Sequence, residues 1–147
     1  VFSGRGAFIH VGAVIGTIMV ANVFLGIIPS QRALVDSVRA GEEANEKVAR
    51  LAMLAKLRST HNNYLTLPII FIMISNHYPL LYGNPHGWAI LAAIGFITAF
   101  ARHYFNLRHR DINQPWILAV AAVLTAALIW LVAPAPATTL DTADHPE

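Results

Sequence analysis

Long apolar segments alternate with polar ones along this chain. Four apolar segments occupy positions 7–28, 62–82, 87–107 and 115–133. About 20 apolar residues in helical form span the ~30 Å hydrocarbon core of a bilayer. The strands of a membrane barrel would show alternating segments of about 10 residues, and this sequence has none. The pattern therefore predicts an all-α integral membrane bundle of four transmembrane helices over residues 1–133, followed by a flexible tail at 134–147.

A charged segment at 31–60 separates the first two apolar segments. Pro29 and Ser30 predict the end of the first helix, because proline interrupts helical hydrogen bonding. Gly41 predicts a break between two short helices inside the charged segment. Apolar residues recur there at helical spacing, namely Val48, Leu51, Ala52 and Ala55. We therefore expect an amphipathic, cytoplasmic helical connection at the lipid headgroups, although a partner-binding helix would give the same pattern.

The composition supports a membrane protein and excludes several kinds of site. Of the 147 residues, 56% are hydrophobic and 12% are charged, whereas soluble domains are about a quarter charged. The sequence has no cysteine, which excludes disulfides, iron–sulfur clusters and covalently attached haem within it. Basic residues form no stripe with interleaved aromatics, so we expect no nucleic-acid partner.

The positions of the basic residues predict an orientation. Six of the ten lysines and arginines lie between the first two apolar segments: Arg32, Arg39, Lys47, Arg50, Lys56 and Arg58. Three more, Arg102, Arg108 and Arg110, lie at the end of the third segment. Cytoplasmic loops of membrane proteins carry the excess of lysine and arginine. The chain is therefore predicted to place both basic loops in the cytoplasm and both termini outside.

This orientation sorts four histidines into two layers. His10 and His77 are predicted near the outer ends of their helices, and His61 and His103 near the inner ends. Imidazoles on facing helices can ligate haem b or a metal, or can relay protons. The alternative is that they lie at the interface and bond to backbone carbonyls or headgroups.

The second apolar segment carries amides at both ends, although polar groups at membrane depth are costly and usually functional. Candidates for binding a polar heterocycle are Asn62, Asn63, Thr66 and Asn76, with Asn22 on the first helix. Hydrogen bonding between helices would explain the same residues. Arg5 and Arg102 can pair with an anionic ligand, although such side chains more often reach the headgroups. The pattern assigns no catalytic residue.

Three stretches resemble the membrane domain of the bacterial urate hydroxylase (urate oxidase) family. They are GRGAFIHVGAVIGTIMVAN at 4–22, IIPSQR at 27–32 and RSTHNNYLTLPIIFIMISNHYP at 58–79. The HNNYLTLP and SNHYP blocks carry most of the specificity, because a simple transmembrane pattern does not explain them. The resemblance runs from about Gly4 to Ala133.

This resemblance implies an inner-membrane enzyme that oxidises urate to 5-hydroxyisourate and passes electrons to cytochrome c. The family carries a fused cytochrome c domain, but this chain has no CxxCH motif and matches only the later part of the membrane domain. We therefore expect that the chain does not act alone. It is either a fragment or a short relative that associates with other subunits or with copies of itself. The alternative is a non-catalytic accessory transmembrane subunit docked in a larger respiratory or photosynthetic complex.

Overall fold

The computed structural model describes residues 3–41 and 46–134, and all of the regular structure in these ranges is helical. The helices are α1 (Gly4–Asn22), a π-helical turn (Val23–Ile27), α2 (Ile28–Arg39), α3 (Glu46–Ser75), α4 (Pro79–Tyr82), α5 (Gly87–Arg108) and α6 (Trp116–Val132). The prediction of an all-α chain is therefore confirmed for this part of the protein. The predicted flexible tail lies, apart from Pro134, outside the described residues.

The first helix does not end at Pro29, so that prediction was wrong. Residues of α1, the π-helical turn and α2 form one continuous helix of 36 residues. A proline ring would clash with the carbonyl four residues earlier in a regular α-helix. The preceding turn is instead widened, with the Ile28 N–H donating to the carbonyl of Val23. Pro29 has no backbone N–H to donate. The Ser30 hydroxyl donates to the carbonyl of Gly26 at 2.7 Å, which adds a hydrogen bond in the same turn.

The second apolar segment is not one helix over 62–82, which corrects a second prediction. Helix α3 begins at Glu46 in the charged segment and ends at Ser75, a length of 30 residues or about 45 Å. Its early end follows from Pro79, which disfavours helical geometry at the preceding residue. Tyr78 is accordingly extended, with φ −110° and ψ 100°.

The predicted pair of short helices around Gly41 was half right. The chain does turn at Gly41, which has a φ of +67°, a value that glycine adopts without strain. The flanking helices, however, are extensions of the apolar ones rather than separate elements. From Glu46 to Leu67 the sequence contains neither glycine nor proline. No helix-breaking residue therefore divides the charged part of α3 from its apolar part.

Helix α3 is the central element of the described structure. Helices α1 and α2 with the π-helical turn pack against it, α5 packs against it as well, and α6 packs against α5. Gly12 is buried against Met73 and Ile72, and a side-chain carbon at Gly16 would lie 3.2 Å from Ile69 Cδ1. Small residues at this spacing let two helices approach closely, and His10 lies on the exposed side of α1.

Two described helices are long and apolar enough to cross a bilayer. The continuous helix Gly4–Arg39 has a mean hydropathy of 2.3 in its most apolar window, and α5 has 1.3. Helix α6 is apolar but shorter, with 17 residues. Large apolar side chains face outward on these helices, among them Leu25 at 77% and Trp130 at 79% exposure. Apolar surface of this extent is typical of a chain that meets lipid or another protein.

Candidate functional site

Asn62 holds α1 against α3. Its side-chain N–H₂ donates to the carbonyl of Met19 at 2.9 Å, and its Oδ1 accepts from Asn22 Nδ2 at 3.0 Å. Both ends of the amide are therefore used inside the bundle. This geometry places two of the predicted ligand-binding amides together, in contacts that connect helices.

Replacing Asn62 with alanine should lower stability by about 0.6 to 1.7 kcal/mol, which are the average and the largest values for one hydrogen bond between membrane helices. The variant removes both bonds and leaves Asn22 Nδ2 without its acceptor. Thermal unfolding in detergent would measure the loss. Thr17→Ala is the control, because that hydroxyl bonds only to Ala13 of its own helix; equal melting temperatures for the two variants would contradict the prediction.

Asn63 points towards α5 and fixes an arginine. Arg102 donates from Nε to the Asn63 carbonyl at 3.0 Å and from Nη2 to Asn63 Oδ1 at 3.2 Å. The Thr66 hydroxyl donates to the same carbonyl at 2.7 Å. Two residues proposed from the sequence, Asn63 and Thr66, thus meet at the Asn63 carbonyl, which also accepts a hydrogen bond from Arg102.

Tyr64 and His103 form a second link between α3 and α5. The phenol oxygen lies 2.6 Å from His103 Nδ1, and the two rings stack with centroids 5.9 Å apart. Neighbouring positions on a helix differ by about 100° in direction. The Tyr64–His103 and Asn63–Arg102 links therefore lie on different sides of the line along which α3 meets α5.

A pocket opens beside the Asn63–Arg102 link, and we call it the α3–α5 pocket. Its volume is 270 Å³, and it is lined by Lys56, Thr60, Asn63, Arg102, Asn106, His109 and Arg110. Lys56, His109 and Arg110 are exposed at its mouth, whereas Thr60, Arg102 and Asn106 are partly buried at its base. The Asn106 Nδ2 atom is buried and has no hydrogen-bond partner among the described residues. The pocket thus combines cationic groups with an unused amide donor.

The sequence analysis did not predict that Lys56, Asn106 and Arg110 line a common pocket. A signal was present: Arg102 and Asn106 are four positions apart, as are Lys56 and Thr60. Residues at this spacing lie on one face of a helix. The sequence alone did not show that these two polar faces are turned towards each other.

The four histidines proposed as ligands differ in their surroundings. His61 and His77 are exposed, and His103 is partly buried against Tyr64. His10 Nδ1 bonds to the Gly6 carbonyl at 2.7 Å. No hydrogen bond or ring contact joins His61, His77 and His103 within the described ranges, and no group of three metal-binding side chains occurs there. Ligation of haem b or a metal by these histidines stays a prediction.

Two other candidates contribute locally. Asn76 is buried, and its side chain donates to the carbonyl of Met73 in the preceding turn. Arg5 is exposed in the first turn of α1 and does not line the α3–α5 pocket. Of the two arginines considered for an anionic ligand, only Arg102 therefore lines this pocket.

In a comparison with protein families, residues 1–133 match the model described as urate oxidase N-terminal. The chain belongs to the urate oxidase N-terminal family. No curated protein and no solved structure matches it. The resemblance drawn from the HNNYLTLP and SNHYP blocks is confirmed, and the α3–α5 pocket lies entirely inside the part that this family covers.

Proposed function

We propose that this member of the urate oxidase N-terminal family is the multi-pass membrane part of a urate-oxidising system. In the proposed reaction the oxygen of water bonds to C5 of urate, which gives 5-hydroxyisourate. Two protons are released, and two electrons leave one at a time to cytochrome c as the acceptor. The observation that carries the proposal is the family match over residues 1–133.

The proposed site for substrate is the polar part of α3 that faces α5. Asn63 and Thr66 supply hydrogen-bonding groups there, and Arg102 supplies positive charge. Urate is an anion at neutral pH and carries several carbonyl oxygens, so a guanidinium suits it as a hydrogen-bond donor. In this proposal the electrons pass to a cytochrome c, because the printed sequence holds no cysteine that could attach a haem.

The proposed location is the bacterial inner membrane, with four crossings. The apolar part of the first continuous helix, the carboxyl-terminal half of α3, α5 and α6 would provide them. The basic residues at one end of α3 and α5 would then face the cytoplasm, following the charge rule for loops. Both termini would face the periplasm.

Loss of the Asn63 side chain tests this function. In membranes that contain the protein and cytochrome c, Asn63→Ala should abolish urate-dependent reduction of the cytochrome. The physical reason is that Arg102 loses the Oδ1 acceptor that orients its Nη2. The absorbance of the reduced cytochrome measures the rate.

Thr98→Ala is the matched control, because Thr98 bonds only within α5 and does not line the α3–α5 pocket. An unchanged rate in Asn63→Ala would overturn the site. Absence of urate-dependent reduction in the parent protein, with cytochrome c present and reducible by other donors, would overturn the function.

An accessory role in a larger complex is the second candidate, and the outward apolar surface favours it. The small residues Gly12 and Gly16 do not provide a free docking face, because α3 already covers them. Native purification separates the candidates: stoichiometric partner subunits without urate-dependent cytochrome reduction would support the accessory role.

A further inference from the structure

We propose that the α3–α5 pocket is a binding site for a small organic anion, held by Arg102, Asn106 and the cations at the mouth. The inference deepens the proposed function and rests on it in one respect, namely that the anion is urate. The site itself is argued from charge, hydrogen-bonding groups and size.

The charge of the pocket lacks a counter-ion. Lys56, Arg102 and Arg110 line it, and no acidic residue does. None of the three forms an ion pair within the described part of the chain. Like charges brought together in a partly desolvated space repel one another, and a bound anion would reverse that repulsion. The carbonyl end of the α5 dipole opposes an anion here, but full cationic charges outweigh a partial one.

Arg102 is oriented before any ligand arrives. Its Nε and Nη2 are held by the backbone and side chain of Asn63, while its Nη1 has no partner among the described residues. A guanidinium has five N–H donors in a rigid plane, so the unused edge keeps a fixed direction. Ordering the arginine on binding therefore costs little, which favours affinity.

Asn106 carries an amide donor that no described residue accepts, and a rotation of its side chain about χ2 would offer that donor to a ligand in the pocket. It lies four positions after Arg102 on α5 and lines the same pocket, and its Nδ2 is buried without an acceptor. Buried amide donors are almost always paired. A carbonyl oxygen or ring nitrogen of an anionic heterocycle would satisfy this group, whereas a metal cation would not.

The size of the pocket selects among anions. Ligand sites usually have volumes of about 300 to 1,000 Å³, and this one has 270 Å³. A single bicyclic ring such as a purine is compatible with this volume, whereas a dinucleotide is too large. The exposed mouth also admits a phosphate group, either free or on a lipid, and the test must separate these sources.

The decisive experiment measures equilibrium binding of radiolabelled urate to the protein in nanodiscs made from a zwitterionic lipid. Asn106→Asp places a carboxylate beside Arg102, and urate affinity should fall about tenfold or more, because like charges meet in the pocket. Arg110→Gln should weaken binding about threefold, as expected for one exposed charge. Arg110 is at the exposed mouth, so this variant tests the site even if Asn106→Asp does not fold.

Arg108→Gln is the matched control, because Arg108 is equally basic, exposed at the same end of α5 and outside the pocket lining. It should bind urate like the parent protein. Equal affinity in the parent, Asn106→Asp and Arg110→Gln proteins would overturn the site, and so would a loss in Arg108→Gln as large as in Arg110→Gln.

The outcomes for site and function are distinguishable. Urate binding that is lost in Asn106→Asp, together with no cytochrome reduction by the parent protein, would support the pocket and overturn the redox function. Urate-dependent reduction with an unchanged KM in Asn106→Asp would overturn the pocket and leave the function. Binding of inorganic phosphate or of nanodiscs containing anionic lipid, without binding of urate, would overturn urate as the ligand.

Discussion

Gly12→Leu should be the most destabilising single substitution in the α1–α3 interface, at about 1 to 3 kcal/mol for an overpacked contact. A side-chain carbon at Gly12 would overlap Met73 Sδ, and it would lie 3.2 Å from Met73 Cγ and 3.6 Å from Ile72 Cγ2. The flexible Met73 side chain can move aside for one methyl group, so Gly12→Ala should cost much less. A leucine needs room that only separation of α1 from α3 can provide.

Gly95→Leu is the matched control for this prediction. It makes the same chemical change in the middle of α5, where no atom lies within 4 Å of the added carbon. Both variants gain the same helix propensity, about 1 kcal/mol relative to glycine, so their difference isolates packing. Thermal unfolding of the two proteins in one detergent measures it. Equal melting temperatures would show that α1 does not pack on α3 through Gly12.

The packing of Gly12 and Gly16 against α3 shows one feature that the sequence could predict. Gly12 and Gly16 share a helix face by spacing alone, and that face does pack. Helix α5 was predicted at 87–107 and extends over Gly87–Arg108, since a glycine-proline turn precedes it and basic residues follow it. The pattern was informative wherever local chemistry determines the structure.

The errors occurred where one residue's effect depends on its neighbours. Pro29 breaks most helices, but here a π-helical turn accepts the ring and Ser30 bonds the Gly26 carbonyl. Pro79 ended the second helix at Ser75, although the apolar pattern continued to Tyr82. Hydropathy reports which residues avoid water, and it does not report where the backbone turns.

The pocket was the least predictable feature, because it depends on how α3 and α5 are rotated about their axes. Asn63 was proposed for its hydrogen-bonding capacity and Arg102 for its charge. Predicting that they pair would have required the rotation of both helices about their axes. Asn106 was not a candidate from the sequence, because a single amide between apolar residues is common. It matters only because the pocket leaves its Nδ2 atom buried and unpaired.

Tyr64→Phe should weaken the α3–α5 interface by about 1 to 3 kcal/mol, because it leaves His103 Nδ1 partly buried without its partner. The bond it removes, at 2.6 Å, is short, and ring stacking keeps the groups aligned. The ring itself is retained, so the loss reports the hydroxyl and not a cavity.

The matched control is Tyr104→Phe. That hydroxyl donates to Asn113 Oδ1 over a longer 3.3 Å and joins α5 to the loop before α6, so its loss should cost about 0.5 kcal/mol. A double-mutant cycle of Tyr64→Phe with His103→Phe should give a coupling energy of about 1 kcal/mol, as expected for partners in contact. Additive losses in that cycle would mean that Tyr64 and His103 do not hold α3 and α5 together, and the rotation of the two helices that forms the α3–α5 pocket would then need another cause.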